Sequence, residues 1–202
     1  LVVTYDPFFD AMGSLEMVHY TAASTYENLL WYEVFNTVYF GPDSLDYQGL
    51  VDYFRAELKD SYSKHTLADH VRKEVRFIIN AYTEQKLQRL DVLRLNSREK
   101  LERGRHTELS LPIWAALIYR FCETQERNVC GIEEIRREKG SPGLLFGIDT
   151  VKVRQLIEEL HGKGWLRYET THSLDQVRLL PGYCSNELLK AYFERRSPAQ
   201  NE

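Results

Sequence analysis

The sequence predicts a mainly α chain of the α+β class, and three observations carry that prediction. Apolar residues recur at helical spacing through most of the chain, strand-like alternation is confined to short runs near residues 165–180, and Gly, Pro and capping residues punctuate the segments between them. The 202 residues are 43% hydrophobic and 28% charged, enough for one or two packed domains. Glu33 and Asn36 interrupt the most apolar stretch, residues 29–40, so no run reaches the roughly 18 residues that would span a bilayer and no membrane partner is expected.

In chain order, helices are predicted over residues 14–24 and 26–39. Another is predicted over residues 47–58, where Leu50, Val51, Phe54 and Leu58 share a face after the breaker Gly41-Pro42-Asp43-Ser44. His65-Thr66-Leu67-Ala68-Asp69 leads into a further helix. Its apolar stripe is Val71, Val75, Ile78, Ile79 and Tyr82, and Arg72, Lys73 and Arg76 lie on the opposite face. Residues 91–108 are polar, carry Arg94, Arg98, Lys100, Arg103 and Arg105 around Gly104, and read as a linker or exposed basic loop. The domain boundary is placed there. A helical domain with a basic C-terminal part covers 1–105 and a second domain covers 106–202.

The second domain has a more specific pattern. A helix over residues 112–124 begins with a proline whose missing N–H costs nothing at that position. A strand signal at Asn128-Val129-Cys130, a helix over 132–139 and the connection Gly140-Ser141-Pro142-Gly143 follow. Asp149 is placed to cap a third helix over 150–161, whose Val153, Leu156, Ile157 and Leu160 form one stripe. Alternating runs at 165–170 and 176–180, joined by Thr171-His172-Ser173, read as a β-hairpin. Helix, strand, helix, helix, hairpin is the order of a winged helix. In that arrangement the third helix enters a major groove with Lys152, Arg154 and Gln155 towards the DNA, and Lys163, Arg167 and Arg178 meet phosphates. The module has no net charge, so protein interaction or a homodimer through it stays an open reading.

The net charge of −4 conceals a polarised chain. Residues 1–54 hold eight acids and no Lys or Arg, residues 64–105 hold eleven Lys/Arg against six Asp/Glu, and residues 111–202 hold thirteen of each. A uniformly basic DNA coat is excluded, whereas a local contact face is not, and Arg72, Lys73 and Arg76 are expected to meet DNA phosphates from the basic stretch. Cys122, Cys130 and Cys184 fit neither a disulfide framework nor a CxxC zinc site and are expected to be reduced thiols in a cytoplasmic protein. The first residues lack an initiator Met and a signal pattern, so an upstream segment is expected.

Catalytic motifs are sparse. Pro42-Asp43 and Glu57-Leu58-Lys59 spell the PD-(D/E)xK pattern of metal-dependent nucleases. That site needs its ExK on a strand, however, and on a helix Glu57 and Lys59 point about 200° apart. A second ExK, Glu84-Gln85-Lys86, shows how readily the triplet recurs, and the match is read as chance. The histidines at 19, 65, 70, 106, 161 and 172 form no ligand motif, and His19 is expected to be a core or boundary residue. No GxGxxG, Walker or GxSxG sequence occurs. Trp31-Tyr32, Phe35 and Tyr39-Phe40 are expected in the core.

Several segments together resemble the SspB-like DNA nickase family, a domain-of-unknown-function group of bacterial DNA phosphorothioation clusters. Asp6-Pro7-Phe8 with Asp10, Leu15 and Val18-His19 is similar to its DP-containing opening, and Trp31-Tyr32-x-x-Phe35-Asn36 to its WY..FN helix. Glu74-Val75 and Tyr82 fall where that family has DV and Tyr. Ser141-Pro142-Gly143-x-x-Phe146-x-x-Asp149 resembles its SPG link, and Thr171-x-x-Leu174-x-Gln176 its hairpin. Glu74 stands in place of the usual Asp and Ser173 in place of a turn Gly, and the family's GH-x-TF segment is absent before Leu1. The resemblance implies a DNA-binding and nicking protein with double-stranded DNA and Mg²⁺ among its ligands. It also implies partners of the cysteine-desulfurase, ATPase and ATP-pyrophosphatase-like kinds. It assigns no catalytic or metal residue to this chain, and a non-catalytic DNA-binding or assembly adaptor is the alternative.

Overall fold

The computed structural model describes residues 2–38, 45–171 and 174–196. The architecture is mainly helical with two small antiparallel sheets. Helices α1 (Val2–Tyr5), α2 (Met12–Ser24), α3 (Leu29–Asn36), α4 (Tyr47–Leu58) and α5 (Lys64–Thr83) come first, followed by strands β1 (Leu93–Leu95) and β2 (Leu101–Arg103). Helix α6 (Leu111–Thr124), strand β3 (Val129–Gly131) and helices α7 (Ile132–Arg137), α8 (Pro142–Leu145) and α9 (Thr150–Gly162) come next. Strands β4 (Leu166–Thr170) and β5 (Asp175–Leu179) and helix α10 (Ser185–Arg196) complete the order.

Local chemistry accounts for most boundaries. The Asp46 carboxylate accepts from Gly49 N at 2.7 Å and starts α4, and Asp149 accepts from Lys152 N at 2.9 Å and starts α9. Asp6 accepts from Asp10 N and Ala11 N, turning the chain from α1 into α2. Glu134 reaches back to Gly131 N at 2.7 Å at the head of α7. The helix predicted over 26–39 divides into a single 3₁₀ turn, Tyr26–Asn28, and α3. Tyr39, Phe40, the breaker Gly41-Pro42-Asp43-Ser44 and the turn residues His172 and Ser173 lie outside the described residues.

Helix α6 is the central element. Ile113–Tyr119, Phe121 and Cys122 are all buried, so it is covered on every side, with α10, α9, α8 and α2 among its neighbours. Its Tyr119 hydroxyl donates to Trp165 O at 2.7 Å and accepts from Leu180 N at 3.0 Å, tying both ends of the β4–β5 hairpin to the helix. In the larger sheet β5 lies between β3 and β4, with Val129 and Arg167 both opposite Arg178 and Cys130 and Tyr168 both opposite Val177. One buried apolar cluster extends from Leu15 to Phe193. Among the described residues, no helix is long and apolar enough to cross a membrane.

Two sequence expectations are corrected, and one further helix is added. Residues 93–103, expected in an exposed loop, form the β1–β2 hairpin with Leu93 and Leu101 buried. Asn96 closes its turn by accepting from Arg98 N and Lys100 N, and the density of charge had hidden the two inward leucines. Cys122 and Cys130, expected as reduced thiols, are joined in a disulfide, because the turn after α6 returns β3 beneath the helix with the two Cα atoms 6.5 Å apart. Helix α10, not anticipated at all, packs Leu188, Leu189, Tyr192 and Phe193 into the core.

Candidate nucleic-acid interface

Several of the residues that carry the family resemblance, among them His19, Phe35, Tyr82 and Phe146, meet in the interior. Fully buried His19 on α2 is ringed by Phe35, Tyr82 and Phe146. Its Nε2 lies 3.1 Å from Leu145 O, which only accepts, so Nε2 carries the proton and Nδ1 accepts from the Tyr82 hydroxyl at 2.6 Å. Burial lowers the imidazole pKa to about 3, which keeps the ring neutral. Trp31 Nε1 donates to Glu74 at 2.9 Å, and Asn36 receives Gly140 N at 2.6 Å while donating to Ala23 O and Tyr32 O. A second buried pair, Glu16 and His106, joins α2 to the segment after β2 at 2.7 Å. These residues hold α2, α3, α5 and the SPG turn together.

The predicted site residues of α9 and the hairpin are largely engaged with the chain's own acids. Arg154 donates to Asp175 through Nε at 3.1 Å and Nη2 at 2.5 Å, and Tyr168 donates to the other oxygen of the same carboxylate at 2.6 Å. Arg178 bonds Glu169 at 3.2 Å, and Arg167 approaches the same oxygen at 3.6 Å. The Arg178 hydrogen bond leads the effects that lower the Glu169 pKa. Gln155 donates to Glu159 and Lys152 to Gln155. Lys163 is exposed at the far end of α9, about 16 Å along the axis from Lys152. Strand alternation puts Arg167 and Arg178 on the sheet face opposite the one that buries Val177.

The basic stretch of the first half is also sorted by the fold. Lys86 pairs with Asp10 at 2.8 Å, Arg89 donates to Asp10 O, and Arg94 pairs with Asp91. Arg103, half-buried, donates to Phe35 O at 2.7 Å and to Leu144 O, and desolvation lowers its pKa to about 10. Arg72, Lys73 and Arg76 are exposed and, like Arg98 and Arg105, have no carboxylate partner among the described residues, but these three lie together on one face of α5. They line a groove of about 370 Å³ with Phe77, Asn80 and Asp69, spaced by three and four residues along one face. Tyr47 braces that face: its hydroxyl donates to Arg72 O at 3.1 Å and its ring lies under the Arg76 guanidinium at 5.8 Å.

Phe77 was missed in the sequence. The residue is 57% exposed, and its ring stands edge-on to Trp31 at 6.3 Å. The signal that could have found it is its position, roughly 140° round the helix from the centre of the apolar stripe.

The described residues form no all-protein cage for a Mg²⁺ ion. Among the described residues, no group of three or more His, Cys, Asp or Glu side chains gathers where it could hold a metal ion. Glu57 and Lys59 are exposed at the C-terminal end of α4, and Asp43 lies outside the described residues.

Fold and site together define a mainly helical α+β protein in which three exposed cationic groups, Arg72, Lys73 and Arg76, line one groove on α5. The chain belongs to the family described as Protein of unknown function (DUF4007), which matches residues 2–193. Its fold is that of SspB. One solved structure, described as a magnesium ion-bound SspB crystal structure, superposes with a TM-score of 0.79 at 17% identity over 97% of this chain, and an SspB crystal structure does so with the same score at 16% identity. The chain spans 64% of the length of those SspB chains. No curated protein matches its sequence.

Proposed function

We propose that this chain is the DNA-engaging part of a protein of the bacterial phosphorothioation machinery, acting in the cytoplasm on double-stranded DNA. The observation that carries this reading is the stripe Arg72, Lys73 and Arg76, exposed and without carboxylate partners among the described residues, on a fold shared with SspB. Unpaired cations are available to phosphates without first losing another partner, and phosphate contacts dominate affinity for DNA. In this reading residues 1–105 present the stripe. Residues 106–202 form a winged helix in which α9 approaches the major groove through Lys152, Arg154 and Gln155, while Lys163, Arg167 and Arg178 reach backbone.

Single-strand nicking, with the Mg²⁺ described for one SspB structure, is proposed for the whole protein. No hydrolytic step is assigned to the residues described here. Partners of the cysteine-desulfurase, ATPase and ATP-pyrophosphatase-like kinds belong to the same proposal. The test is fluorescence anisotropy with duplex DNA across a salt series. Replacing Arg72, Lys73 and Arg76 with Glu should weaken binding and reduce the log–log salt slope by about 0.9 per lost phosphate contact. Unchanged affinity would remove the stripe from the interface.

A second reading rests on a specific observation. Because Asp175 pairs with Arg154 and Glu169 is shared by Arg167 and Arg178, the second half also suits a non-catalytic adaptor that docks protein, as a homodimer or with the modification enzymes. Duplex binding without any open-circular plasmid product in Mg²⁺ favours that reading.

A further inference from the structure

The α5 groove combines two kinds of recognition chemistry. Arg72, Lys73 and Arg76 provide three cations against one carboxylate in the groove lining, Asp69. Next to them Phe77 exposes 57% of its surface although α5 has a well-buried apolar face of its own. The ring is braced in place. Trp31 meets it at 6.3 Å with the planes 66° apart, and Trp31 is itself held by its 2.9 Å hydrogen bond to Glu74 and its packing on Tyr82. An exposed aromatic with a fixed orientation, flanked by unpaired cations and by the amides of Asn80 and Gln85, is the chemistry that receives a base with its phosphates.

We propose that the α5 groove holds an unpaired stretch of a DNA strand, with phosphates on Arg72, Lys73 and Arg76 and a base stacked on Phe77. The proposal rests on the DNA-engaging reading above and specifies which form of DNA this groove prefers. In an intact duplex each base face is covered by its neighbours, so Phe77 has nothing to stack on and only the cations contribute. In a separated strand the faces are free, and base–aromatic stacking adds to the phosphate contacts without demanding a sequence. Asn80 and Gln85 carry both donors and acceptors and can meet the edges of different bases. From Arg72 to Asn80 the stripe is about 12 Å long, which suits a short run of nucleotides and not a long track. The groove is therefore matched to a locally opened site, the state in which one strand of a duplex becomes accessible to modification.

The test is anisotropy on the full chain with a short labelled oligothymidylate and with the duplex of the same length. The single strand is expected to bind more tightly. Phe77→Ala should weaken single-strand binding roughly tenfold and leave duplex binding nearly unchanged. Phe77→Leu keeps the apolar bulk but has no π-face and should lose as much as Phe77→Ala, while Phe77→Trp should retain binding. Phe77 is exposed, and matching urea midpoints will show that the variants fold. Equal affinity for the two forms, or a Phe77→Ala variant that binds the single strand as well as the parent, overturns the proposal while leaving the DNA-engaging reading intact. Displacement of the strand by polyglutamate at equal charge concentration also overturns it. Failure to bind either form of DNA removes both readings.

Discussion

The Tyr82 hydroxyl donates to His19 Nδ1 at 2.6 Å and thereby fixes the imidazole as its Nε2–H tautomer, with α5, α2 and the last residue of α8 joined through one ring. A protonated His19 would place a charge in a fully buried site and force the Tyr82 hydroxyl to accept where it now donates. Burial accordingly holds its pKa at about 3, against an ordinary value of 6.5. Below pH 6.5 the unfolded chain binds a proton that the folded chain refuses. This contribution to stability is therefore complete above that pH and declines as the pH falls towards about 3. The expected slope from this group is up to about 1.4 kcal/mol per pH unit. Urea unfolding across that range should show a falling midpoint, and a His19→Gln variant, less stable at neutral pH, should show a shallower fall.

Arg103 is expected to be a structural clamp and not a DNA contact. Its fork bridges Phe35 O and Leu144 O, which lie far apart in sequence. Replacing it with Met keeps the stem but strands two carbonyls, at a cost of about 3 kcal/mol in denaturant unfolding. Arg103→Lys should recover only part, since a point charge does not reproduce the fork.

Gly104 is required by a close approach of backbone to backbone. A Cβ there would stand 1.7 Å from the Asp91 carbonyl oxygen, next to the hydrogen bond from Gly104 N to Val92 O. Gly104→Ala should destabilise the β1–β2 hairpin by about 1–3 kcal/mol, read as a lower thermal midpoint. Normal stability would show that the two backbone segments separate at little cost.

Asp175 and Glu169 restrain the arginines of the second half. If α9 and the hairpin meet DNA, Asp175→Asn and Glu169→Gln should tighten duplex binding and steepen its salt slope, by about 0.9 for each arginine released to a phosphate. No change in slope would assign Arg154 and Arg178 to holding the sheet and α9 together.

Much of the fold was legible because its signals are local. The bounds predicted for α4 are those observed, since Asp46 caps it and Leu50, Val51 and Phe54 mark one face. Helix α9 follows Asp149 for the same reason. Most of what was not legible depends on partners distant in sequence. Arg103 looks like any other charge in a basic loop until Phe35 and Leu144 are brought beside it. The neutralisation of Arg154 depends on Asp175, twenty-one residues away. The Cys122–Cys130 pair is local, eight residues apart, but depends on the turn that returns β3 under α6. Of the nine cations and amides read as DNA contacts, the structure leaves Arg72, Lys73 and Arg76 together in one groove. The others are spread along α9 and across an outer sheet face.

Helix α6 has consequences for how the molecule opens. Because apolar neighbours cover it on all sides, no partial fraying exposes its amides while the elements around it remain docked. Its central amides, from Trp114 to Phe121, should therefore exchange with deuterium last and only at the rate of global opening, whereas α5, with one face in water, should exchange through smaller local fluctuations. The slowest protons would lie in the helix least able to meet a ligand, and the groove-bearing helix could adjust to a bound strand while the centre of the molecule stays closed.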